Sequence, residues 1–194
     1  PCWRGQAGST FQSWTFAESN NPVALPPTLA TNAYGSVAAG INFGTFSDGY
    51  IESDPFLGCR QGIWDLGHTG MMTLSITNTS GGSGGSYKYV QVVVTQFRDT
   101  LYNENATVGI AGGIQVGQVQ QVVGTNNSGG EWIAAKTLWR LGSPCPASES
   151  IEITAGTNGT LVDQVLVETL CIDLVCPTDI LTSADPGSCS KSNI

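Results

Sequence analysis

One histidine, one acidic cluster, five tryptophans and five tyrosines carry the chemistry open to this 194-residue chain. A Ser-His-Asp or Cys-His enzyme would have to use His68, the single histidine. His68 lies in the turn sequence DLGHTG, and no GxSxG nucleophile elbow accompanies it. Asp48, Glu52 and Asp54 cluster in SDGYIESDP, and Glu52 and Asp54 fall on one side of an extended segment. Two carboxylates suffice to hydrolyse a glycoside. Acidic residues in a loop are more often simply solvated, so the expectation is a protein without catalysis. The same carboxylates, joined by Asp163 in LVDQV, offer the oxygens that a hard cation such as Ca²⁺ requires. Their spacing is not that of an EF-hand loop. The alternative for Asp163 is a carboxylate taking backbone hydrogen bonds at a strand edge.

The aromatics are Trp3, Trp14, Trp64, Trp132, Trp139, Tyr34, Tyr50, Tyr87, Tyr89 and Tyr102. A sugar ring presents C–H groups that settle on an aromatic face. Trp139 shares parity with Ile133 and Leu141, and Trp14 with Phe16, which places them in a core. Trp132 has the opposite parity. Tyr87 and Tyr89 lie opposite Val90 and Val92, beside a Gly/Ser loop. Trp132, Tyr87 and Tyr89 are therefore the expected exposed patch and the candidate carbohydrate contacts.

The elements that must position these groups are strands. No stretch holds a helical period, whereas alternation with a period of two recurs. It runs through Val37, Ala39, Ile41 and Phe43, then Met72, Leu74 and Ile76, then Val90, Val92 and Val94. It returns in Ile133 to Leu141 and in Ile151 and Ile153. Thr160 to Cys171 is apolar at most positions, as a strand covered on both faces would be. IQVGQVQQVVG, residues 114–124, changes phase at Gly117, which predicts a β-bulge that restores the inward face. SGGSGGS, residues 80–86, reads as the loop of a long hairpin. NNPVALPPT, residues 20–28, holds three prolines and cannot be helix interior or central strand. Roughly nine to eleven strands at this turn spacing predict an all-β fold, a two-layer antiparallel β-sandwich that is jelly-roll-like. A closed barrel is the alternative.

Charged residues make up 11% of the chain and the net charge is −8. The 7 basic residues are spread along the sequence, which excludes phosphate-backbone binding and an anionic membrane as partners. No apolar stretch approaches a membrane span. The 6 cysteines, Cys2, Cys59, Cys145, Cys171, Cys176 and Cys189, include no CxxC pair and point to disulfides, hence an oxidising compartment. Sequons at Asn78, Asn105, Asn126 and Asn158 add candidate glycosylation sites. With Pro1 as its first residue, the sequence reads as a mature exported chain after removal of a signal peptide, secreted or held at the cell surface.

Two resemblances follow. WRGQAGSTFQSWTF (3–16), GIWDLG (62–67) and LVDQVLVETLC (161–171) resemble a group of exported bacterial β-sandwich proteins, many with PEP-CTERM-type sorting tails. That resemblance implies roles at cell surfaces, in biofilms or with exopolysaccharide. The sorting tail itself is not present in this sequence. Cys176-Pro177, Asp179-Ile180 and Asp185-Pro186-Gly187 followed by Cys189 resemble the opening of a hyalin-repeat domain, an immunoglobulin-like sandwich of extracellular adhesion proteins. This second resemblance implies a Cys176–Cys189 bridge, and the Asp185-Pro186-Gly187 turn is compatible with it. Closing so short a loop would contribute on the order of 3 kcal/mol. The remaining four cysteines then allow three connectivities.

The expected organisation is a sandwich over residues 1–175 and a connector over 176–194, with Thr178, Ile180 and Thr182 as an assembly strand. An isolated opening strand exposes unpaired amides and half a core. It needs an edge in its own domain, in a following domain or in a neighbouring copy. The preferred function is a non-catalytic structural or adhesive subunit without a cofactor. The alternative is a carbohydrate-binding module with an aromatic platform and a structural Ca²⁺, an ion that jelly-roll modules of this kind often carry.

Overall fold

The structure, a computed structural model, describes residues 3–17, 19, 26–78, 87–99, 101–126 and 129–172. Twelve strands account for nearly all of its regular structure: β1 (Thr10–Trp14), β2 (Leu29–Thr31), β3 (Val37–Asn42), β4 (Gly49–Ser53), β5 (Gln61–Asp65), β6 (Met71–Thr77), β7 (Tyr87–Arg98), β8 (Thr107–Ile110), β9 (Gly113–Thr125), β10 (Glu131–Leu141), β11 (Ser148–Thr154) and β12 (Leu161–Ile172). Among the described residues a single 3-10 turn spans Pro55–Leu57. Among the described residues no helix is long and apolar enough to cross a membrane.

The strands form two antiparallel sheets. The larger has the order β2-β1-β12-β7-β10-β9, with the β4–β5 hairpin joined to the start of β12. The smaller has the order β3-β6-β11-β8. From β5 onward the chain alternates between the sheets, and the β9–β10 hairpin is the one exception. The fold is the expected all-β sandwich of two antiparallel layers. The core between the layers is built from the alternating positions. Val90, Val92, Val94, Trp139, Val165 and Val167 of the large sheet meet Ala39, Met72, Leu74, Ile76, Ile151 and Ile153 of the small one. Trp14 and Phe16 lie in the same core.

Two sequence expectations meet the structure differently. Gly117 does mark a bulge: Leu138 faces Gly117 while Trp139 faces Gln115, which leaves Val116 as the extra residue. A second shift leaves Val123 unopposed between Gly124 and Val122. The strand does not gain a buried face from this, because β9 is exposed along most of its length. The hairpin expected across residues 80–86 is corrected. That loop lies outside the described residues, but the strands it joins, β6 and β7, belong to different sheets. The connection is therefore a crossover, selected by the closure of two layers and not by the loop's composition.

The outer face of the large sheet is covered as well. Trp3 from the N-terminal segment covers Tyr89, Leu138 and Leu170 at one end. The β4–β5 arm covers Phe97, Trp132 and Leu161 at the other, through Leu57 and Ile63. β7 and β12 are consequently buried on both faces, as the apolar run ending at Cys171 suggested.

Candidate functional site

The expected aromatic patch is corrected by this second layer. Trp132 and Tyr89 are each 2% exposed. Parity put both on the outer face correctly, but that face is roofed. Trp132 donates its Nε1–H to the Leu57 carbonyl at 2.9 Å, and the Arg60 guanidinium lies over its ring at 4.9 Å. Tyr89 lies beside Trp3 with ring centroids 6.4 Å apart. Tyr87 is half-buried beneath the Arg140 guanidinium, 5.1 Å from its ring.

The carboxylates proposed for Ca²⁺ are occupied separately. Asp163 is buried and ion-paired with Arg60, whose side chain is buried too. Asp54 caps the 3-10 turn, accepting from the Phe56 N–H at 2.8 Å. Glu52 is exposed on β4, and the exposed Asp48 donates its backbone N–H to Asp65 Oδ2 at 2.8 Å. Among the described residues no three His, Cys, Asp or Glu side chains come together as a metal donor set. His68 is half-buried in a tight turn, bridged by its backbone to Thr45.

The cysteine and sequon residues divide similarly. Cys145 and Cys171 form a disulfide with Cα atoms 6.2 Å apart, and Cys59 is disulfide-bonded too. Asn78 is corrected as a glycosylation site of the folded chain. It is 6% exposed, accepts from the Thr10 and Thr169 hydroxyls and donates to Glu149. Asn105 donates to Gln120 Oε1 at 3.3 Å, and Asn126 to the Phe56 carbonyl at 2.8 Å. Asn158 is exposed and donates to Glu104 Oε1 at 2.7 Å. Cys2, Cys176, Cys189, Thr178, Ile180 and Thr182 lie outside the described residues.

The feature with the clearest capacity for interaction is β9. It has 13 residues, GIQVGQVQQVVGT, and pairs with β10 along one side. Among the described residues no strand pairs with its other side. It holds no charge and no proline, the two devices that usually guard a free edge. Ile114 is 60% exposed, Val122 46%, Val119 40% and Val116 38%. The other edge strands, β2, β3, β4 and β8, have 3, 6, 5 and 4 residues, and shorter edges offer less to pair with. The phase shift in residues 114–124 was visible in the sequence. That the strand is an edge was not, because the order of strands in a sheet leaves no local mark.

Beside β10, the outer face carries buried charge. Arg4 donates to Glu168, and Gln91 donates to the other Glu168 oxygen at 3.1 Å. Burial pulls the Lys136 ammonium below its usual range, and the Glu168 carboxylate partly offsets this. These groups link three strands of one sheet, and their partners lie within the chain.

No family model matches the chain, and no curated protein matches it. Among solved structures, a family GH115 4-O-methyl-alpha-glucuronidase with specificity for decorated arabinogalactans aligns with 66% of this chain at 12% identity. The aligned part is 17% of that protein, and the TM-score of 0.27 is too low to carry an argument about fold or activity.

Proposed function

We propose that this protein is a non-catalytic, extracellular structural subunit that assembles by adding a strand from one copy to the free edge of β9 in the next. The observation that carries this reading is β9 itself: long, uncharged, rich in β-branched residues and, among the described residues, unpaired on one side. Main-chain hydrogen bonds to such an edge give affinity, and alternate side chains give register. The donor is the segment around Thr178, Ile180 and Thr182, whose Thr-Asp-Ile-Leu-Thr sequence alternates as a strand does. Its Asp179 would meet no like charge on β9.

Chain direction favours a neighbouring copy as the donor. Ile172 at the end of β12 shares a rim with Tyr87, Lys88, Leu141 and Gly113, the first residue of β9. From that rim the segment could join its own β9 only in parallel. Antiparallel entry starts near Thr125, about 40 Å away along the strand, whereas residues 173–177 reach at most about 18 Å. Both sheets are otherwise antiparallel, and antiparallel pairing is slightly the more stable. A head-to-tail contact of this kind yields a filament where its rotation does not close into a ring. The Cys145–Cys171 bridge supports an oxidising, extracellular setting.

Sedimentation and electron microscopy of the full chain test the reading. Removing residues 177–194, or introducing Val119→Lys with Val122→Lys, is expected to abolish assembly while leaving the sandwich folded. Truncated protein that still assembles, or full-length protein that stays monomeric at high concentration, would sink it.

A further inference from the structure

At the end of the sandwich where β7 finishes, two turns hold apolar side chains in water. The first contains Phe46, which is 83% exposed and has φ 60, a conformation that bulky side chains avoid. The turn is held by the Thr45–His68 bridge, in which the His68 N–H donates to the Thr45 carbonyl at 2.8 Å. Gly44 and Gly70 permit the close approach: a Cβ on either would stand 1.9 Å from a facing carbonyl oxygen. The Phe46 ring sits 5.0 Å from the His68 ring.

The second turn presents Leu101 and Tyr102, each 71% exposed. Asp99 ties it down. Its Oδ1 accepts from the backbone N–H groups of Leu101, Tyr102 and Asn103 at 2.8, 2.6 and 3.1 Å. The two turns meet over Gly159, where a Cβ would lie 3.6 Å from both His68 Cδ2 and the Tyr102 carbonyl oxygen. Polar groups adjoin Gly159: Glu104, half-buried, whose N–H donates to the Gly159 carbonyl at 3.0 Å, and Asn158, exposed, joined to the Glu104 carboxylate by a hydrogen bond of 2.7 Å.

Folding gains nothing from a strained backbone that places a phenyl ring in solvent, so the strain points to function. We infer that this loop end binds a neutral polysaccharide, with pyranose rings stacked on Phe46 and Tyr102 and hydroxyls on Glu104 and Asn158. Exposed rings with a carboxylate and an amide close to their junction suit a ligand that presents both C–H faces and hydroxyl edges. A continuous apolar patch would suit a protein instead. The chain's net charge of −8 and the Glu104 carboxylate disfavour an acidic glycan. The site uses no side chain of β9.

Affinity electrophoresis of the full chain in gels containing a mixed-linkage glucan, a xylan, a galactomannan or alginate tests this. At least one neutral polysaccharide is expected to retard the wild type. Phe46→Gly removes the ring while relieving the positive φ, so it keeps the fold; Tyr102→Ala acts on an exposed side chain. Each is expected to weaken retention about tenfold. Amide shifts on titration with the retarding polysaccharide are expected at residues 44–47, 67–69, 101–104 and 158–159. Retardation by none of the neutral polymers, retardation by alginate alone, or retention unchanged in both variants would overturn the inference.

Discussion

Lys88 Nζ lies 3.1 Å from Glu149 Oε2 between the two sheets, and both side chains are 1% exposed. Lys88 faces inward with Val90 and Val92 on β7, and Glu149 lies on β11 of the opposite sheet. The ammonium also donates to the Pro146 carbonyl, and Asn78 donates to the carboxylate. Through the Asn78 carbonyl oxygen the network reaches Thr10 on β1 and Thr169 on β12. One buried ion pair thus stitches both layers at the rim where the chain leaves β12.

Burial pushes the Glu149 carboxyl up, and Lys88 partly offsets it. Lys88→Met removes that offset and leaves a buried carboxyl without its cation, expected to cost about 3–5 kcal/mol at neutral pH. A carboxyl raised above its unfolded value gives stability that is fully present below the unfolded value and is lost as pH rises through the folded one. The gap between wild type and Lys88→Met in urea unfolding should therefore widen from acid to neutral pH. A gap that stays constant would show that Glu149 does not carry the effect.

The strand pattern was legible because one face of each strand meets the core, and alternation encodes that directly. Val37–Ile41, Met72–Ile76 and Val90–Val94 all fall where their parity puts them. The phase change at Gly117 was legible for the same reason. Trp132 was misjudged because parity names a face and says nothing of what lies over it. The covering arm, with Leu57 and Ile63, is distant in sequence. The Cys145–Cys171 pairing could not be chosen among three connectivities without the fold. Phe46 gave a weak signal: an aromatic residue inside the glycine-bracketed turn Gly44–Gly49, with a second such turn at Gly67–Gly70.

The burial of Trp132 can be checked directly. Its indole fills the space under the 3-10 turn, with Phe97 at a centroid distance of 5.2 Å. Trp132→Ala is expected to destabilise the fold by about 3–5 kcal/mol. Stability unchanged in calorimetry would restore Trp132 as a surface residue and a ligand contact.

The Cys145–Cys171 bridge joins the connection after β10 to the last full turn of the β12 pleat, across a sequence separation of 26. Loop closure of that length stabilises by about 3–4 kcal/mol in the chain-entropy model. The paired substitution Cys145→Ser with Cys171→Ser should lower the unfolding free energy by that much, and the midpoint with it, while β10 and β12 stay paired to β7. A midpoint unchanged in the variant would mean that the neighbouring strands already hold this rim closed.

Asp99 makes the Tyr102 turn sensitive to acid. Burial alone would raise its carboxyl, but hydrogen bonds from Tyr102, Leu101 and Asn103 outweigh that and hold it below the ordinary range. In the lowered window the unfolded turn binds more protons than the folded one. Its contribution is complete above the ordinary aspartate value of roughly 3.9 and is lost as pH falls through the lowered value. Amide resonances of Leu101, Tyr102 and Asn103 should therefore shift together on acidification, while those of β7 hold. Asp99→Ala should produce the same shifts at neutral pH, with Tyr102 gaining freedom and Phe46 unaffected. Acid shifts that persist in Asp99→Ala would assign the transition to another carboxyl.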